Sequence, residues 1–343
     1  MNGDSPRFKG GQSSPQTGGP VDAETLHRES IIVDGHCDTL GTVVQKERRL
    51  GKRSAQGQFD LMRALEGGLT AQLMAICYEP AWPGSCIRQT LQFIDALHEE
   101  IEAFSDLALL ALSEDDILRA KRLGKVAMIL SLEGAEGLEG DLGVLRLCHR
   151  LGLRVLGITW NRRNEAADGI GELRTGGGLT CFGVDLVKEC ERLGIVLDVA
   201  HMAPPGVADL LELTDTPVVA THANCYDLWP HPRNLTDSQL EAIARTGGVV
   251  GVTPVPPFLG SDETHSHLSA LLDHIDHMVS VMGEDGVGLG MDFDGVGEMR
   301  TVGIEDVSKL PNLTRGLIDR GYTAIGIRKI LGGNFLRVFH EVF

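Results

Sequence analysis

The sequence predicts an α/β protein, a (β/α)8 TIM-like barrel with extra C-terminal helices. Eight short apolar segments, mostly rich in Val, Ile and Leu, recur along the chain. Longer stretches with helical spacing separate them, and that alternation calls for parallel strands. The chain has 343 residues, which suits one such barrel with additions, since barrels run from about 200 to more than 400 residues. No GxGxxG follows the first strand, which argues against an open nucleotide-binding sheet.

The predicted strands are residues 31–33, 69–76, 126–132, 154–158, 195–197, 218–220, 249–252 and 287–289. Helical spacing covers 87–104, 114–123, 142–151, 182–193, 204–213, 237–244 and 268–282. Ser113 precedes Glu114-Asp115-Asp116 and Thr236 precedes Asp237, so both are expected as helix caps. Further helices over 304–320, 322–330 and 334–342 finish the chain. Residues 1–20, rich in Gly, Ser, Pro and Gln, read as a flexible tail. No linker divides residues 21–343, which read as a single domain.

Hydrophobic residues make up 42% and charged residues 23%, ordinary globular usage that supports a large core. The net charge of −17 repels phosphate backbones, so no nucleic-acid partner is expected. Seven cysteines without a CxxC pair argue against a disulfide framework and for a reducing compartment. No apolar run reaches the ~18–20 residues that span a bilayer, and no secretory h-region opens the chain. A cytoplasmic protein without a membrane partner is the expectation.

Functional side chains of such a barrel gather at the C-terminal ends of its strands. Strand one ends in Asp34-Gly35-His36-Cys37-Asp38. His36 and Asp38 are two apart, so in an extended segment both side chains point to the same side. Glu133 follows strand three, His201 strand five, His222 strand six and Asp292 strand eight. Three histidines and three carboxylates therefore converge on one rim. This donor set suits zinc, with manganese, cobalt or iron as alternatives. Six groups exceed the needs of one tetrahedral ion, so two divalent ions are expected, bridged by a carboxylate and a hydroxide. Glu133 is the natural bridge, coming from a strand between the two groups. Asp292 is placed to accept the proton of the nucleophilic water and return it to a leaving amine.

Singly, each residue has a plainer reading. A Glu before a Gly is commonly a turn residue, and His201 or His222 alone reads as a satisfied buried imidazole. Their joint position at the strand ends of one periodic fold is what selects metal binding. Asp198 reads as a partner of a ligand or a barrel-interior residue. His265, His267, His274 and His277 read as a solvated helix face, and His149 as structural.

These segments resemble the renal (membrane) dipeptidase family of binuclear zinc peptidases, within the amidohydrolase superfamily. The matching stretches are DGHCDTL (34–40), LSLEGAEGL (130–138), LGVLRLCHRLGLRVLGITWN (142–161), VLDVAHM (196–202), THANCYDLWPHPRN (221–234), GLGMDFDG (288–295) and GGNFLRVF (332–339). The resemblance implies a metal-dependent dipeptidase that uses a metal-bridging hydroxide and accepts dipeptides with a C-terminal D-residue. It implies two divalent ions, zinc by preference. One is held by His36 and Asp38, the other by His201 and His222, with Glu133 bridging them. It assigns Asp292 as acid/base and Arg233 as the anchor of the substrate carboxylate, a task suited to a fork of donors. It also implies a homodimer.

One position departs from the renal pattern. There, a histidine after the threonine of strand four polarises the scissile carbonyl. Here the strand ends Ile158-Thr159-Trp160-Asn161, so Trp160 takes that place. Tryptophan offers one N–H donor and no charge, and Trp160 is expected to contact substrate. Asn161, Arg162 and Asn164 are the nearby polar groups able to substitute. Two other readings share the chain. The same metal site could serve an N-acyl-amino-acid hydrolase or lactonase, which needs the carboxylate anchor but no free amine. An inactive barrel acting as a binding protein would be expected to lack ligands, yet all five metal positions and Asp292 are filled.

Overall fold

The computed structural model describes residues 22–78, 84–260 and 265–343. The tail expected over residues 1–20 lies outside the described residues. The barrel strands are β1 (Val33–Asp34), β2 (Ala71–Cys77), β3 (Val126–Glu133), β4 (Leu153–Gly157), β5 (Val196–Asp198), β6 (Val218–Ala220), β7 (Val249–Val252) and β8 (Val287–Leu289). All run parallel. Each pairs with its sequence neighbour, and β1 pairs with β8 as well, which closes the ring. The β2–β3 ladder runs from Ala71↔Ala127 to Cys77↔Glu133. The eight predicted strands are therefore the eight barrel strands, with ends shifted by two residues or fewer.

Among the described residues, three short strands escaped prediction. Ala108–Leu110 pairs with the start of β3 outside the ring. Arg300–Val302 pairs with His265–His267 as a separate ribbon. Two of them, His265–His267 and Arg300–Val302, are largely polar and lack the apolar run that marks the barrel strands.

The helices follow the capping logic. Ser113 accepts from the Asp116 N–H and starts Glu114–Leu123. Thr236 and Gln239 cap each other around the start of Asp237–Arg245. The helix expected over 304–320 is shorter, Leu310–Asp319. Pro311 lacks the N–H that a turn begun at 304 would need, so it sits in the first turn of a helix starting later.

Alternation along the strands sorts the core into two layers. Met128, Leu130 and Leu132 of β3 pack outward, toward the helices. Val33, Leu73, Ile129, Val155, Val196, Val219 and Val249 point inward and form one cluster with Phe335, Val338 and Phe339 of the last helix, Asn334–Val342. Several of these inward residues begin their strands, so the helix plugs the N-terminal mouth of the barrel. A Cβ on Gly288 would stand 2.6 Å from the Phe335 ring, and glycine there lets the plug seat.

His274 corrects an expectation. It was placed on a solvated helix face, yet it is buried, with Nδ1 accepting from the Cys225 N–H at 3.2 Å. The helix Leu268–Met282 packs against both Asp237–Arg245 and Leu310–Asp319, and two such contacts leave fewer of its faces in water. His277 is half-buried and pairs with Asp237 at 2.7 Å, and His267 is exposed. The side chain of His265 lies outside the described residues. Among the described residues, no helix is long and apolar enough to cross a membrane.

Candidate metal centre

The rim opposite the plug collects the predicted side chains. His36 and Asp38 follow β1, Glu133 ends β3, His201 and His222 follow β5 and β6, and Asp292 follows β8. Glu133 Oε1 lies 3.0 Å from His201 Nε2, 3.5 Å from His36 Nε2 and 3.8 Å from His222 Nε2. His36 Nε2 lies 3.4 Å from Asp38 Oδ2. Two triplets, His36/Glu133/His222 and His36/Asp38/Asp292, each present ligand-type atoms within 4.8 Å of one another. The rim thus holds groups able to bind a divalent metal ion.

Hydrogen bonds behind the imidazoles decide which nitrogen faces the centre. Thr221 Oγ1 donates to Asp198 Oδ2 at 2.6 Å, so it can only accept from His222 Nδ1, 3.0 Å away. The other Asp198 oxygen takes the Ala200 and Thr221 N–H groups at 2.9 Å each. Asp198 therefore backs a histidine from within the barrel, one of the two readings its position allowed. His201 Nδ1 lies 2.8 Å from Asn161 Oδ1, an acceptor. With both protons on Nδ1, two Nε2 lone pairs face each other 2.9 Å apart. Such a pair beside a carboxylate is repulsive without a cation, and this nitrogen–oxygen set suits zinc. Both ring nitrogens of His36 are buried without a hydrogen-bond partner, a costly arrangement that metal ligation at Nε2 would offset for that nitrogen.

The electrostatics agree. Burial pushes His201 down to about 4, aided by the charge of Arg233, and burial with His36 pushes His222 well below the usual range. Burial alone would raise Glu133, yet His36 and His201 hold it well below the carboxylate range. Burial and Asp38 drive Asp292 well up. His201, Asp292 and Asp294 hold positive φ of 67°, 55° and 69°, a strain of roughly 1–3 kcal/mol per residue that commonly collects at functional sites.

A cavity of about 430 Å³ opens above the centre. Asp38, Glu133, Trp160, His201, Arg233 and Asp292 line it, and Val255, Pro257, Phe258 and Met299 supply an apolar wall. His36 and His222 lie buried and do not line it. The Arg233 guanidinium is buried beside the Phe258 ring at 5.5 Å, and one of its nitrogens donates to the His222 carbonyl at 3.2 Å. All eight residues singled out in the sequence therefore meet here. Of the three polar groups near Trp160, Asn164 is spent on its own loop and Arg162 is exposed. Asn161 lines the cavity but is engaged by His201.

Three further residues shape the site. Asp294 takes hydrogen bonds from Thr39, Arg48 and the Gln58 N–H, which ties the loop after β8 to the segment after β1. Thr221 carries its role in its position before His222, a visible signal. Gly295 carries none: a Cβ there would stand 2.2 Å from Asp292 Oδ1 and 2.3 Å from Asp38 Oδ2.

Comparison with known proteins gives this rim a context. Residues 21–343 match the family model described as membrane dipeptidase (peptidase family M19). The dipeptidase tcpJ of Claviceps purpurea (strain 20.1) is 31% identical over 339 residues, covering 94% of this chain and 79% of the relative. A metallo peptidase from Rhodobacter sphaeroides, solved with a phosphinate mimic of the dipeptide L-Ala-D-Ala, superposes with a TM-score of 0.85. It is 31% identical, and the match covers 92% of this chain and 100% of that one. The probable dipeptidase PvdM of Pseudomonas aeruginosa gives a TM-score of 0.86 at 26% identity, covering 93% and 97% of the two chains. With a family match across nearly its whole length and a rim of groups able to bind a divalent metal, this chain belongs to the membrane dipeptidase family, peptidase family M19, and is a metallo-dipeptidase.

Proposed function

We propose that the chain cleaves dipeptides at a centre of two divalent ions, zinc by preference. His36 and Asp38 hold one, His201 and His222 the other, and Glu133 is shared. The observation that carries this reading is the position of Glu133 Oε1, within 3.8 Å of the Nε2 atoms of all three histidines. Bound ions of this kind supply Lewis acidity and a water of lowered pKa.

The chain's own groups do the rest. Arg233 pairs its guanidinium with the C-terminal carboxylate of the dipeptide, which a planar fork recognises with two hydrogen bonds. Asp292, on the rim beside Asp38, accepts a proton from water and hands it to the leaving amine. Trp160 borders the substrate from the position where the renal enzymes carry a histidine. The apolar wall excludes water from the reacting bond. The L-Ala-D-Ala mimic bound by the Rhodobacter protein supports substrates with a C-terminal D-residue.

Metal content and amine release, measured on one purified sample, test the reading. About two ions per chain are expected, with cleavage of L-Ala-D-Ala lost in Asp292→Asn while metal content holds. Two ions with turnover of N-acetyl amino acids alone would keep the centre and overturn the dipeptide assignment. No metal uptake from zinc or manganese would overturn the centre.

A further inference from the structure

Asn161 has no role in substrate binding or proton transfer in the reading above, yet it touches a proposed ligand. It lies four residues past the end of β4, next to Trp160. Its Oδ1 meets His201 Nδ1 at 2.8 Å. Two backbone bonds pin its loop against the His201 segment. The Gly171 N–H donates to the Asn161 carbonyl at 2.8 Å, and the Ile170 N–H donates to the His201 carbonyl at 2.7 Å. Gly169 and Gly171 make this approach feasible. A Cβ on Gly169 would stand 2.1 Å from the Trp160 carbonyl oxygen, and one on Gly171 would stand 2.6 Å from that of Asn161.

We infer that Asn161 is a positioning residue that keeps the His201 proton on Nδ1 and so decides whether the metal position shared by His201 and His222 fills. This rests on the two-ion reading above. A carbonyl oxygen accepts and cannot donate, so it selects the one neutral tautomer whose Nε2 lone pair faces the centre. Without that partner, Nε2 carries the proton and donates it to Glu133, 3.0 Å away, which blocks the position. The three histidines are backed differently. His222 has a hydroxyl relayed to a carboxylate, His201 has a neutral amide, and His36 Nδ1 has no partner. An acceptor behind a ligating imidazole commonly contributes 10–100-fold in metal affinity, and behind His201 that acceptor is the Asn161 amide alone.

Zinc stoichiometry and affinity by chelator competition, with melting of the metal-free proteins alongside, test this. Asn161→Leu is expected to bind one zinc as the wild type does and the second 10–100-fold more weakly. Asn161→Asp keeps an acceptor and is expected to hold both. Nitrogen NMR of the zinc-loaded wild type is expected to find the His201 proton on Nδ1. If Asn161→Leu does not fold, Asn161→Ala against Asn161→Asp gives the same contrast between an acceptor and none. Leucine and aspartate variants equally impaired, or a leucine variant that binds two zinc ions like the wild type, would overturn the inference alone. A wild type that takes up no zinc would overturn the two-ion reading and this inference with it.

Discussion

Thr221 and His222 are chain neighbours whose side chains are hydrogen-bonded to each other, 3.0 Å from Oγ1 to Nδ1. The hydroxyl gives its only proton to Asp198, so the imidazole must supply the other one. Thr221→Val keeps the shape and deletes the link. It leaves Asp198 Oδ2 and His222 Nδ1 unpaired in a buried place, at a cost of about 1–3 kcal/mol. Urea unfolding of the metal-free protein is expected to register that loss, and chelator competition a 10–100-fold weaker zinc.

Gly295→Ala places a methyl group 2.2 Å from Asp292 Oδ1 and 2.3 Å from Asp38 Oδ2. Both carboxylates must shift, and a displacement of about 1 Å can cost on the order of 100-fold in rate. The expected result is a kcat for L-Ala-D-Ala lowered 10–100-fold with an unchanged circular dichroism spectrum. Wild-type kcat in this variant would show that Asp292 tolerates displacement.

Arg233→Lys replaces a bidentate fork with a point charge. KM for L-Ala-D-Ala is expected to rise 10–100-fold, equivalent to about 1.4–2.7 kcal/mol. The corresponding dipeptide amide, which lacks the carboxylate, should bind wild type and variant alike. Equal losses on both substrates would assign Arg233 a structural role behind the His222 carbonyl.

His274 links stability to pH. Burial lowers it from 6.5 to about 4. The unfolded chain therefore binds this proton first, and stability rises with pH between about 4 and 6.5. The contribution is complete above 6.5 and is lost as pH falls toward 4, on the order of 3 kcal/mol in all. His274→Gln should be less stable than wild type at pH 7.5, with the gap narrowing by pH 5. Unfolding curves at the two pH values measure it, and a constant gap would contradict the neutral buried imidazole.

The barrel was legible because its signal is local. Strand and helix periods lie within windows of a few residues, and a rim residue's place is given by its distance past a strand. His36, Asp38, Glu133, His201, His222 and Asp292 stand out that way, as residues just beyond apolar runs, and the structure brings them to one rim. Arg233 and Trp160 sit in loops with no period, and only the family pattern located them.

What the sequence by itself determined is the order of elements, the rim and the chemical types on it, because burial patterns and strand ends are properties of neighbouring residues. Tertiary structure alone decided which groups stand behind which. Asn161 reaches His201 across 40 residues, Asp198 reaches Thr221 across 23, and Arg48 reaches Asp294 across 246. Hydrogen bonds depend on ångström distances between side chains from different strands, and those distances exist only once the barrel has closed. Packing of neighbouring helices around the barrel buried His274, whose polar neighbours along the helix suggest water.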